Sequence, residues 1–221
     1  MRKLLIWAAV AGLLVAVGCD AARWGAWALW GGAGKKVEAQ YRLPHESTLA
    51  VMIYADREVQ FDYPGVTLSL ASQINERLKL YLTGSDSIKT VGARTIARYQ
   101  DNNLNWDTDS KSKVAKDLGA DYILLVSIPQ YTTREPGQMS LYQARMIAEA
   151  KLYDAEDPYD EPVWQSQDSF HVVHPPEATY QRRREGQIRY EADQMLADKI
   201  ARIFVDHKIP YDDEGREEEM P

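Results

Sequence analysis

Few residues in this chain are of types and spacings that do chemistry. Four histidines occur, His45, His171, His174 and His207, and two of them form His171-x-x-His174, a pair that invites a metal reading. On a strand, positions three apart point to opposite faces, and the pair runs directly into Pro175-Pro176. No H-E-x-x-H occurs and no third ligand is signposted, so these read as surface histidines at the end of a strand. The acidic run Asp154, Glu156, Asp157, Asp160 and Glu161 offers carboxylate oxygens to a cation such as calcium. It lacks the glycine a calcium loop needs for its turn, and Pro158 and Pro162 restrict wrapping, so a solvated hairpin loop is expected. There is no G-x-S-x-G elbow and no serine in a triad context. Gly31-Gly32-Ala33-Gly34-Lys35 lacks the spacing of a phosphate-binding loop. No catalytic residue, metal or cofactor is therefore expected. Arg182-Arg183-Arg184 with Arg189 is the densest basic patch, worth about 1 kcal/mol per residue near anionic lipid. Glu185 and Glu191 offset it, and a solvated helix face is the expectation.

The remaining reactive residue is Cys19, the single cysteine of the chain. Arg2 and Lys3 precede an uncharged apolar run from Leu4 to Val17, and Gly18 is a small residue before a candidate cut, the pattern of an export signal. Fourteen apolar residues fall short of the roughly 20 that span a bilayer, and Asp20 and Arg23 would each cost about 2.5–3.5 kcal/mol inside one. Ala16-Val17-Gly18-Cys19 resembles the lipobox of bacterial lipoproteins, with Ala16 where leucine is most common. That resemblance implies cleavage between Gly18 and Cys19 and acylation of Cys19. Two or more acyl chains anchor stably where one does not. Trp24, Trp27 and Trp30 recur every three residues beside the cysteine, and indoles favour the membrane interface, so this stretch is expected to rest on the bilayer. Asp20, after the cysteine, hints at the inner membrane in some bacteria, and which membrane carries the protein stays open.

Bulk composition bounds the rest. The chain has 221 residues, 45% of them hydrophobic, with a net charge of −7. Without residues 1–18 it carries 24 basic against 33 acidic residues, a net charge of −9. Such a protein repels phosphate backbones, and no nucleic-acid partner is expected. One cysteine excludes an internal disulfide and cysteine-rich zinc sites.

The elements that would position any site follow from periodicity. Residues 1–18 read as signal, 19–45 as lipidated N-terminus and tether, 46–210 as one domain, and 211–221 as a disordered acidic tail. Leu49 to Tyr54 is a buried strand without helical period. Leu70, Ile74, Leu78 and Leu82 mark an amphipathic helix that Gly84 stops. Ser87 to Val91 is a second strand, followed by a helical stretch near Arg94 to Tyr99. Asp109 or Ser110 caps a short helix ended by Gly119. Tyr122 to Ile128, apolar on both faces, is expected to be central and closed by Pro129. Leu141 to Tyr153 alternates as a half-exposed strand, Val163 to Gln167 returns, and His171 to Pro176 leaves the sheet. Ile188, Ala192, Met195, Leu196, Ile200 and Ile203 outline a final helix ending near His207. The order predicts an α/β (α+β) two-layer sandwich with a mixed sheet of about five strands and helices packed on it.

Leu49-Ala-Val-Met-Ile-Tyr54, Leu118-Gly-Ala-Asp-Tyr-Ile-Leu-Leu-Val-Ser-Ile128 and the hairpin from Leu152-Tyr-Asp154 to Val163-Trp164 resemble a group of bacterial envelope lipoproteins. That group comprises the TolB N-terminal domain, CsgG and LpoB, and the resemblance spans residues 48–168. Their hairpin turn carries Thr-Gly, whereas this chain has a longer acidic turn from Ala155 to Pro162. Val37-Glu-Ala-Gln-Tyr-Arg-Leu-Pro44 is also similar to an entry segment of uncharacterised bacterial lipoproteins. The resemblance implies a lipid-anchored, non-catalytic binding or scaffold module, held at the membrane by Cys19 and facing the periplasm, with an envelope protein as partner. Two alternatives stay open. One is an envelope hydrolase or metal-dependent enzyme built on His171, His174 and the acidic hairpin. The other is a secretion-complex subunit, although no pair of long amphipathic strands is spare for a barrel.

Overall fold

The computed structural model describes residues 34–210 apart from 85–86, 135–136, 138–139 and 181–183. Gly18, Cys19, Trp24, Trp27, Trp30, Arg182, Arg183 and the acidic tail lie outside the described residues. The chain divides into two units. In the smaller, β1 (Gly34–Val37) pairs antiparallel with β8 (His207–Pro210), Gly34 opposite Pro210. A strand thus lies inside the stretch expected as tether, and another beyond the expected last helix.

The larger unit is a mixed sheet with helices. It runs β2 (Thr48–Ala55), α1 (Arg57–Asp62), α2 (Val66–Tyr81), β3 (Lys89–Thr90), α3 (Ala93–Asn102) and α4 (Lys111–Leu118). It continues through β4 (Tyr122–Arg134), β5 (Tyr142–Asp154), β6 (Pro162–Gln165), β7 (Phe170–Thr179) and α5 (Glu185–Ala201). The strand order is β3-β2-β4-β5-β6, with β7 also paired to β5. β2 is parallel to β3 and β4, while β5 is antiparallel to β4, β6 and β7.

Alternation sorts the side chains into two cores. Leu49, Val51 and Ile53 of β2, Leu124 and Val126 of β4, and Ala148, Ala150 and Leu152 of β5 share one face. Onto it pack Leu70, Ile74 and Leu78 of α2 and Ala192, Leu196 and Ile200 of α5, the residues whose four-residue spacing predicts those helices. The opposite face of β2 and β4, with Ala50, Met52 and Ile123, is covered by Ile96 of α3 and by Val114 and Ala115 of α4. This adds a partial third layer to the expected two. Complete burial of a leucine or isoleucine stabilises by about 1.5–3 kcal/mol, so the fully buried residues of both cores carry the fold.

Three local expectations differ from the structure. Pro129 does not close the central strand, because a register shift between Ser127 and Gln130 takes up the residue that cannot donate, and β4 continues to Arg134. His171 to Pro176 does not leave the sheet but forms most of β7, with Val172 opposite Met146 and His174 opposite Ala144. The final helix stops at Ala201 and tightens into a short turn, Arg202–Phe204, before His207. α4, by contrast, ends as its sequence indicates. Ser110 Oγ accepts from the amide of Lys113 at 3.3 Å, and Gly119 closes the helix at φ +64°.

Candidate functional site

The two histidines of the H-x-x-H pair lie on opposite faces of β7, as strand geometry requires. His171 is exposed, opposite Ile147. His174 is half-buried against α5, its Nε2 2.7 Å from Glu191 Oε2. Gln187 donates to the other oxygen of Glu191 at 2.7 Å, and these bonds hold the Glu191 carboxyl below its ordinary range. The carboxylates of the acidic loop are turned to the backbone. Asp154 accepts from the amide of Glu156, and Asp157 from those of Tyr159 and Glu161. Asp160 Oδ1 accepts from Lys111 N at 2.5 Å and Ser112 N at 3.1 Å, capping α4 from a distant hairpin. Among the described residues no group of three or more histidine, cysteine or acidic side chains converges. No helix among them is long and apolar enough to cross a membrane.

A different cluster is brought together where α1, α2, β4 and α5 meet. Asp193 sits on the inward face of α5 and is 2% exposed. Tyr131 donates its hydroxyl to Asp193 Oδ1 at 2.8 Å, and Ser69 of α2 donates to Oδ2 at 3.1 Å. Gln73, one turn further along α2, donates to Ser69 Oγ at 3.4 Å, while its own carbonyl oxygen has no partner. Burial pushes the Asp193 carboxyl up to about 6, against the opposing effect of the two hydroxyl bonds and of Arg189. Burial and the neighbouring carboxylate together raise the Tyr131 hydroxyl far above its usual range.

Next to this cluster Tyr63 packs against the Tyr131 ring, centroids 4.7 Å apart. The Tyr63 hydroxyl accepts from Thr133 N at 2.9 Å and lies 3.2 Å from Thr133 Oγ1. Thr133 Oγ1 in turn donates to Glu185 Oε1 at 2.7 Å. An open cleft of about 310 Å³ lies outside this chain of bonds, lined by Asp62, Tyr63, Glu185, Gly186 and Arg189. Asp193 and Tyr131 are closed off from solvent. They form a buried tie between α2, β4 and α5.

Of these residues only Glu185 and Arg189 stand out in the sequence, as parts of a solvated helix face. Asp193 left one trace. It lies among the inward positions Ile188, Ala192, Leu196 and Ile200, and an acid among buried helix positions demands partners.

Fold and site together define a small α/β protein with a mixed sheet, a buried polar cluster and a polar cleft beside it. The family model for LptE, lipopolysaccharide-assembly, matches residues 48–202, and the chain belongs to that family. This, rather than the TolB N-terminal, CsgG and LpoB group that the strand pattern resembles, is the family that matches. No curated protein matches the chain. Among solved structures, the chain is similar to the lipoprotein GNA1162 from Neisseria meningitidis at 15% identity and a TM-score of 0.44, covering 69% of this chain and 99% of that one. A PelC dodecamer from Paraburkholderia phytofirmans is similar at 12% identity and 0.43, covering 77% and 97%. A minor lipoprotein from Acinetobacter baumannii is similar at 11% identity and 0.35, covering 71% and 90%. These likenesses are too low to transfer a role.

Proposed function

We propose that this protein is a lipid-anchored, non-catalytic binding module that serves lipopolysaccharide assembly in the bacterial envelope. Residues 1–18 are removed as a signal, and acylated Cys19 holds the chain at the outer membrane with the α/β unit facing the periplasm. That unit binds another envelope component. The observation that carries the reading is the family match over residues 48–202, which spans the sheet from its first central strand to the end of α5. The two histidines of the H-x-x-H pair face apart, which removes the observation behind a metal-dependent reading.

The test has two parts. Cys19→Ala should move the protein from the membrane to the soluble fraction, and depletion of the protein should lower lipopolysaccharide at the cell surface. Membrane retention of the alanine variant would defeat the anchor, and unchanged surface lipopolysaccharide would defeat the assembly role.

A further inference from the structure

We infer that two copies of this protein pair face to face, the open side of β5 in one lying antiparallel on the same side of β5 in the other, about a two-fold axis at Ile147. This goes beyond the assembly role proposed above and does not depend on it.

The fold leaves that face open. α3 and α4 cover Ala50, Met52 and Ile123 and reach Leu125 and Tyr153. Further along the same side of the sheet, Arg145, Ile147, Glu149, His171 and Val173 belong to neither core. Glu149 and His171 are exposed, and Ile147 and Val173 are half-buried. An antiparallel sheet can leave one side to water, with polar residues pointing outward. Here apolar Ile147 stands instead between Gln130 of β4 and His171 of β7.

The charges on this face are their own complement. Arg145, Ile147 and Glu149 alternate along β5 and so project from one side. A two-fold axis between the sheets, crossing β5 at Ile147, sets Arg145 of each copy against Glu149 of the other. That reciprocal exchange is what an isologous contact requires. The register on β4 extends it. Ser127 lies opposite Glu149, Gln130 opposite Ile147 and Thr132 opposite Arg145. The same axis brings Ser127 to Thr132 of the other copy, hydroxyl to hydroxyl, and Gln130 to its own counterpart. An amide both donates and accepts, so that last pair satisfies itself.

The dimensions agree. At about 3.4 Å per residue, Arg145 and Glu149 stand about 7 Å to either side of Ile147. Sheets packed face to face lie about 10 Å apart and cross at about 30°, which offsets facing positions at that radius by about 3.5 Å. An arginine and a glutamate span that. Arg145 donates through Nε to Gln143 Oε1 at 3.0 Å, and a guanidinium with five donors can hold this amide and a carboxylate together. Ser169 reaches Glu149 only at 3.4 Å. The strand edge, by contrast, is poorly suited to a second copy. Pro175 and Pro176 have no N–H to donate, and Lys199 already donates to the carbonyl of His171 at 3.1 Å.

The test is sedimentation of the full-length protein in detergent over a concentration series. The wild type should show a monomer–dimer equilibrium. Glu149→Arg and Arg145→Glu should each weaken the dimer about a hundredfold, since each creates two like-charge contacts at about tenfold apiece. Mixing the two variants in equal amounts should restore the dimer, because the mixed pair regains both opposite-charge contacts. Unchanged melting temperatures show that folding is intact. Ile147→Asp brings two like charges together on the axis and should abolish the dimer by itself, a reading that holds even if Arg145→Glu fails to fold. A wild type that stays monomeric into the high micromolar range would overturn the proposal. So would a dimer indifferent to these substitutions, or a mixture that stays monomeric while both variants keep their melting temperatures. Association with a different protein alone would overturn it too, and each of these results leaves the assembly role standing.

Discussion

Replacing Asp193 with asparagine should make the protein more stable at neutral pH, although the substitution removes a charge that accepts two hydrogen bonds. The Asp193 carboxyl is held at about 6 in the folded chain, against its ordinary 3.8. Because folding raises this pKa, the folded state binds the proton more tightly than the unfolded one. The stability this contributes is complete below about pH 4 and is lost as the pH climbs to about 6. Above that, the fold encloses an ionised carboxylate, a cost of about 3 kcal/mol at 1.36 kcal/mol per pH unit. Asparagine can accept from Tyr131 through its carbonyl and donate to Ser69 through its amide, so the geometry survives. It loses the attraction of Arg189, which brings the expected gain at pH 7.5 to about 1–3 kcal/mol. Urea denaturation of both proteins at intervals from pH 4 to pH 8 measures it. The difference should be near zero at pH 4 and fully developed by pH 7. A difference that stays constant across the range, or an asparagine variant weaker at pH 7.5, would refute the reasoning. Asp193→Ala is the companion. It leaves the Tyr131 hydroxyl buried without an acceptor and should be less stable than the asparagine variant by about 1–3 kcal/mol.

Asp160→Ala should destabilise by about 1 kcal/mol in thermal denaturation, because it uncaps α4 at Lys111 and Ser112. Gly119→Ala should lose about 1 kcal/mol, since φ is +64° there and alanine resists that conformation. Leu124→Ala should lose about 2–5 kcal/mol in urea titration, because the side chain is fully buried at the centre of the sheet. Glu191→Gln should weaken the protein at neutral pH. The Glu191 carboxyl is lowered in the fold, so its contribution is present above its unfolded pKa and fades as the pH falls through the folded one. The gap between variant and wild type should therefore close in acid, as read by melting temperature across pH.

Patterns that repeat within one element were legible. The run Leu49 to Tyr54, the four-residue spacing through α2 and α5, and Gly119 after α4 each encode their own local geometry, and the structure keeps all three. β7 was hidden because Pro175-Pro176 argues against a strand, while the strand's partners lie on β5, some thirty residues earlier. Gln143 shows the same limit. Alternation along Leu141 to Tyr153 puts it on the polar side of that half-exposed strand, yet it is buried, with its amide donating to the carbonyls of Pro175 and Pro176. The cleft was the least readable, because residues 62, 133, 185 and 189 meet only once the sheet has formed. Within α5, Glu185 and Arg189 look like ordinary solvated charges.

Molecules held on a lipid surface, as proposed for this protein, are confined to two dimensions and meet one another far more often than they would in free solution. Under that crowding an open strand edge would zip neighbouring copies into unwanted ribbons. On the edge that β7 shares with the four-residue β6, the proline pair and the lysine clamp on the His171 carbonyl block the β7 stretch. At the other edge, β3 is only two residues long. Selectivity among neighbours must then come from side chains, which differ from protein to protein, and not from main chain, which all proteins share.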